Sequence, residues 1–164
     1  MILGGYDAAK AGAKNLSVEF DTDISRDLSV AVQSIQMSSS KGSEYLLSKG
    51  IFSFIDSTVP HIWLPLDVCE NFEKAFGLKW DSTSELYLVD DTLHNKLISQ
   101  NASLVFTLGN QTSGGPTTDI TLPYASLDLE VDYPIVEKKT RYFPLKRAAN
   151  DTQYTLGRTF LQEA

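Results

Sequence analysis

Cysteine is almost missing from this chain. Cys69 stands alone in 164 residues, so no disulfide can close internally and no cysteine metal cluster can form. Long apolar runs are missing as well: nothing approaches the ~18 consecutive apolar residues that cross a bilayer, and no membrane segment is expected. The opening Met1-Ile2-Leu3-Gly4-Gly5 lacks the basic segment and apolar run of a secretion signal. Positive charge is in deficit, with 14 Lys plus Arg against 21 Asp plus Glu and a net charge of −7. Phosphate binding needs clustered cations, so nucleic acid is not an expected partner. The nearest basic cluster, Lys138, Lys139, Arg141, Lys146 and Arg147, sits beside Asp132 and Glu137 and reads as a solvated face. His61 and His94 have no cysteine or second carboxylate at ligand spacing, so neither a metal nor a cofactor is expected. Gly4-Gly5 and Gly114-Gly115 are not followed by helices, which removes a phosphate cradle, and no nucleophile-elbow pattern supports a serine triad.

What is present is a globular composition, 42% hydrophobic and 21% charged, sufficient for a single domain over 1–164. The pattern is mostly strand. Val18 to Phe20, Leu28 to Ile35 and Ile51 to Asp56 are short apolar segments bounded by Asp, Ser and Gly, with a turn at Lys41-Gly42-Ser43. In Ile51 to Asp56 the alternation predicts Ile51, Ser53 and Ile55 on one face and Phe52 and Phe54 on the other. Ser103 to Leu108 and Asp119 to Leu122 predict a hairpin with a long, flexible tip, and Leu127, Leu129 and Val131 continue a period of two. Two helices interrupt the strands. Asp67 caps one with Val68, Cys69, Phe72 and Phe76 on its apolar face and Gly77 as its stop; Asp90, Asp91 and Thr92 cap a shorter one. The expected class is all-β, a sandwich or barrel-like body with two short helices.

Asparagine is rare but well placed. Of six Asn, four open Asn-x-Ser/Thr sequons, at Asn15, Asn101, Asn110 and Asn150, where 30 Ser plus Thr in this length predict about one by chance. These are glycosylation candidates and point to a secreted or surface-exposed parent; turns that favour both residue types are the alternative reading. Cys69 is then either buried or paired outside this chain.

The feature with most chemical content is Phe52-Ser53-Phe54-Ile55-Asp56-Ser57-Thr58, an apolar strand that delivers a carboxylate followed by two hydroxyls before Val59-Pro60 ends it. Such a charge needs donors, and Ser57 and Thr58 can supply them. An Asx-turn ahead of Pro60 accounts for the same residues without any chemistry.

Taken together, several fragments resemble the carboxy-terminal lobe of the pepsin-like aspartic endopeptidases. Leu3-Gly4-Gly5-Tyr6-Asp7 is similar to the segment that opens that lobe, and Ile55-Asp56-Ser57-Thr58 sits where the family places its second hydrophobic-Asp-Ser/Thr-Gly motif. Ile62-Trp63-Leu64-Pro65 matches the strand end after that motif, and Tyr154-Thr155-Leu156-Gly157 the late element that threads beside the catalytic loop. With Tyr142-Phe143-Pro144-Leu145 and the run from Tyr154 to Ala164, the chain looks like the fungal secreted or membrane-tethered branch. The resemblance implies one lobe of a bilobal double-psi barrel, with the amino-terminal lobe and the last strands lying outside this chain. It implies Asp56 as one of two aspartates that share a proton and activate water between them, Ser57 and Thr58 in the motif, and Leu156 and Gly157 as its supports. The implied partners are a peptide or protein substrate and the other lobe, and the implied location is extracellular, cell-surface or vacuolar.

Three departures accompany the resemblance. Thr58 replaces the motif's Gly, which is expected to resist the backbone conformation Gly allows; Val59-Pro60 replaces hydroxyl residues; and Arg158 stands where many relatives carry Asp. With one carboxylate, the isolated chain is expected to lack peptidase activity. A catalytically degenerate, inhibitor-like binding protein of the same fold is the alternative, and pairing of two copies of Asp56 across a two-fold axis is a third expectation.

Overall fold

The structure is a computed structural model that describes residues 16–20, 23–24 and 28–164. The opening motif Leu3 to Asp7 and Asn15 lie outside the described residues. Among the described residues, twelve strands form two sheets. β1 (Ser29–Ser39), β2 (Gly42–Leu47), β3 (Ile51–Ile55), β4 (Ile62–Leu64), β7 (Ser103–Gly109), β8 (Thr117–Pro123), β11 (Leu145–Arg147) and β12 (Thr155–Leu156) build the larger one. Its order is β11-β4-β12-β3-β1-β7-β8, with β2 added to β1. The smaller sheet, in the order β5-β6-β10-β9, consists of β5 (Lys79–Asp81), β6 (Leu86–Val89), β10 (Thr140–Phe143) and β9 (Leu129–Val131). The body is mainly β, as the alternation of apolar residues predicts.

β1 organises the large sheet because both its faces are covered. Val30, Ala31 and Val32 are buried in succession, and Ile35 and Met37 follow at a spacing of two. Its first half, Ser29 to Val32, pairs with β3 and its second half, from Ile35 on, with β2, a pairing that carries its own register shift between Ile35 and Gln36. On β3, Ile51 and Ile55 pack against the core and Ser53 is buried, while Phe52 is half-exposed on the opposite face, in agreement with the predicted alternation. The hairpin of β7 and β8 is in continuous register from Ser103 opposite Pro123 to Gly109 opposite Thr117. Its tip is tied down rather than loose: Gln33 Nε2 donates to the carbonyls of Gln111 and Gly114.

Of the helices, α1 (Leu66–Phe76) buries Val68, Cys69, Phe72 and Phe76 and ends at Gly77, whose φ of 80° is the left-handed conformation glycine favours. Phe72 and Phe76 stack on each other and meet Phe143 of the small sheet edge-on or tilted. The apolar cluster runs without a break from β1 through α1 to β6 and β10. α2 (Asp91–Ser99) is capped by Asp90, whose carboxylate accepts from the Leu93 N–H at 2.7 Å. Among the described residues no helix is long and apolar enough to cross a membrane.

Several predicted elements differ. Val18 to Phe20 is not a strand; Phe20 is 76% exposed, and no described strand pairs with it. β1 runs four residues past Ile35, carried by its pairing with β2 and β7. Leu127 belongs to a short helix, α3 (Tyr124–Leu127), and another, α4 (Arg158–Leu161), follows β12. Asp67 does not cap α1: Pro65 holds that position and Asp67 lies in the first turn.

Candidate active site

β3 ends at Ile55 and β4 begins at Ile62, and the loop between them carries Asp56, Ser57 and Thr58. β12 enters the gap between these two strands, parallel to β3 (Leu156 opposite Ile55) and antiparallel to β4 (Leu156 opposite Ile62). A strand inserted between the two arms of a loop fixes that loop on both sides. The Asp56 N–H donates to the Leu156 carbonyl at 3.2 Å, the Arg158 N–H to Val59 at 2.8 Å, and the Thr159 N–H and hydroxyl to Pro60 at 3.2 and 2.8 Å. The approach is close enough that a Cβ on Gly157 would run into the carbonyl oxygens of Val59 and His61. Asp56, Thr58, Leu156 and Gly157 are thus gathered in one place. Ser57 joins them through its backbone and is itself exposed.

The Asp56 carboxylate is partly accessible. Its Oδ1 accepts from the Thr58 hydroxyl at 2.7 Å and the Thr58 N–H at 2.8 Å. The hydroxyl bond first, then the N–H, hold the acid below the ordinary aspartate value. This is the Asx-turn that Asp-Ser-Thr-Val-Pro predicts. The expectation that Thr58 resists a glycine conformation is corrected: its φ is not positive, unlike that of Glu85 and Asn101. A threonine fits because the turn needs a donor two residues after Asp56, and the threonine hydroxyl adds a second.

Asp56 opens onto a groove of about 630 Å³ walled by the apolar Phe20, Ile24, Leu28 and Phe54 and by the hydroxyls of Thr152 and Thr155. Phe20, Ile24 and Leu28 are 76%, 85% and 62% exposed, so apolar surface meets solvent directly beside the carboxylate. Behind the loop, on β3, the Ser53 hydroxyl is buried and has no hydrogen-bond partner among the described residues.

Two residues named in the sequence, Arg158 and His61, make contacts here that it did not show. Arg158 Nη1 donates to the carbonyls of Ser57 at 3.3 Å and Thr58 at 3.1 Å, a contact across about a hundred residues. His61 lies edge-on to Tyr142 with ring centroids 5.8 Å apart. Burial first, then the charges of Lys146 and Arg158, lower its pKa to about 4, so it is neutral over most of the acid range. The signal for His61 was its place between Pro60 and a strand of buried residues. For Arg158 there was none beyond the unexpected charge.

The other candidates fall elsewhere. Cys69 is buried, its Sγ directed at the carbonyls of Leu64 and Lys146, and burial raises its pKa to about 12. His94 pairs with Asp128 at 3.2 Å beside Tyr124. Of the basic cluster, Lys138 and Lys139 are solvated, Lys139 pairing with Glu130, whereas Arg141 and Arg147 are half-buried and pair with Asp91 and Glu73, Arg147 lying over the Trp80 ring. Among the described residues no three His, Cys, Asp or Glu side chains group as metal ligands. Asn101, Asn110 and Asn150 are exposed. Asn101 is in the left-handed region, Asn110 Oδ1 accepts from the Glu19 N–H, and Asn150 Oδ1 accepts from the N–H and hydroxyl of Thr152.

No family model and no curated protein matches the sequence. Among solved structures, an aspartic proteinase from Irpex lacteus superposes with a TM-score of 0.63 at 15% identity. The match covers 97% of this chain and 45% of that one, so this chain spans less than half the proteinase's length. At that identity the likeness is one of fold: two sheets and short helices arranged as in a pepsin-like lobe.

Proposed function

We propose that this chain is the carboxy-terminal lobe of a pepsin-like aspartic endopeptidase, with Asp56 as one of two carboxylates that activate water. The observation that carries the reading is the loop itself. An acid at the end of an apolar strand is fixed by an inserted strand and opens onto an apolar groove, where a peptide can lie. The amino-terminal lobe would supply the second aspartate. Two carboxylates a few ångströms apart do not both ionise, so one keeps a proton at acid pH and the other takes a proton from water. Asp56, held below the ordinary value by Thr58, suits the ionised role. The sequons suit a parent in the secretory pathway, whether extracellular, at the cell surface or vacuolar.

The full-length product of the reading frame that encodes this chain is expected to cleave an acid-unfolded protein at about pH 3–5, with Asp56→Asn lowering kcat about 10³-fold. The 164 residues alone are expected to be inactive. Activity that survives Asp56→Asn overturns the reading. A second reading, a degenerate pepsin-fold binding protein, is favoured by one observation: the Thr58 hydroxyl occupies Asp56 Oδ1, an acceptor that a reactive water would otherwise use. A full-length product that is folded, binds an unfolded protein and does not cleave it would establish that alternative.

A further inference from the structure

One of the two carbonyls that Arg158 grips belongs to a peptide unit whose opposite end donates to Asp56. The Ser57 carbonyl shares its peptide plane with the Thr58 N–H, which donates to Asp56 Oδ1 at 2.8 Å. The second contact, to the Thr58 carbonyl at 3.1 Å, holds the guanidinium against the same turn. We propose that Arg158 is a positioning residue for Asp56, acting through the Ser57–Thr58 peptide group: a cation at its oxygen end, a carboxylate at its N–H end.

A planar amide transmits polarisation from one end to the other. A guanidinium hydrogen bond to the carbonyl withdraws density from the nitrogen and makes its N–H a stronger donor, so the two bonds in series reinforce each other. The same contacts fix the turn's peptide planes in rotation, which keeps the Thr58 N–H aimed at the carboxylate. Arg158 is itself held in place: its own N–H donates to Val59, and Gly157 before it permits the close approach that brings the guanidinium within reach. Among the described residues the groove side of Asp56 is lined by Phe20, Ile24, Leu28, Phe54, Thr152 and Thr155, with Asp23 next to Ile24 in the chain. His61 and Tyr142, from the start of β4 and from β10, feel Arg158 rather than Asp56. Arg158 therefore keeps Asp56 ionised without touching it.

This deepens the reading of Asp56 as the water-activating base and depends on that reading for its consequence alone. The arrangement is measured in the 164-residue chain without any activity readout. The test follows the Asp56 carboxyl ¹³C shift and the Thr58 amide shift from pH 7 downward, while the amide spectrum stays native. Parent, Arg158→Ala and Arg158→Gln are compared, the glutamine variant deciding should the alanine variant not fold. The expected result is a rise in the Asp56 pKa of about half a unit, roughly a threefold change in acid constant, with upfield movement of the Thr58 amide proton. An Asp56 titration that overlays the parent's in a folded variant overturns the proposal. So does a rise in Asp56 with the Thr58 amide unmoved, which a through-space field would produce. Failure of proteolysis in the full-length protein leaves this result standing, and failure here leaves the proteolysis assay to decide the role of Asp56.

Discussion

Asp56 draws its donors from Thr58, two residues on, while its loop is held by residues a hundred positions later. The local half needs only an Asx-turn; the distant half needs the chain to pass within backbone contact of Val59 and His61. Gly157 is where these two demands meet, since any side chain there collides with two carbonyl oxygens of a loop already fixed by β3 and β4. Backbone yields less readily than the end of a flexible side chain, so Gly157→Ala is expected to cost about 3 kcal/mol. The cost should appear as a fall in the urea midpoint at unchanged slope. An alanine variant within about 0.5 kcal/mol of the parent would mean that the loop can step aside. It would then not be rigid enough to aim a carboxylate.

At the scale of elements, legibility follows length and locality. α1 is visible in the sequence because Val68, Cys69, Phe72 and Phe76 repeat at helical spacing and Gly77 closes the helix. β1, β3, β7 and β8 are visible because five or more residues alternate. β4, β5, β9, β11 and β12 have two or three residues each; β9 showed a period of two only at Leu129 and Val131, and β4, β11 and β12 exist through pairing with distant strands. Asp56 could be picked out because its turn is local; the passage of Tyr154 to Gly157 beside its loop was legible only through the family resemblance, and the Arg158 clamp had no local signature. Helix starts show the same division. Asp90 was legible as a cap, and its carboxylate accepts from the Leu93 N–H; Asp67 has the same chemistry but sits inside the first turn behind Pro65, with only the helix dipole to favour it. Asp90→Ala should therefore cost about 1 kcal/mol, and Asp67→Ala only about 0.3 kcal/mol, by chemical denaturation of the two variants in parallel. Equal costs would show that capping geometry does not govern where these helices begin.

For the whole molecule the pressing question is acid, since the proposed reaction needs a shared proton. Folding holds His61 near 4, against 6.5 for an unperturbed histidine, because burial and the charges of Lys146 and Arg158 oppose its cation. Between these values the unfolded chain binds a proton that the folded chain refuses, so stability is fully present above about pH 6.5 and declines as pH falls towards 4. Solvent reaches part of the ring, so the loss is about 1–2 kcal/mol rather than the full linkage value. Lower still, Asp56, Asp81 and Glu130 add to the decline. Each is held below its ordinary value by a donor (Thr58, Ser84 and Lys139), and each must protonate in the fold after it has done so in the unfolded chain. Acid therefore weakens the chain in two stages, with His61 governing the first. His61→Phe keeps an aromatic ring against Tyr142 and removes the titration. The parent's urea midpoint should be lower at about pH 4.5 than at pH 7, and the variant's drop over the same interval should be smaller by the equivalent of about 1 kcal/mol. A variant that loses as much as the parent would place the first stage on another group, and the buried ring of His61 would then have no part in how this fold meets acid.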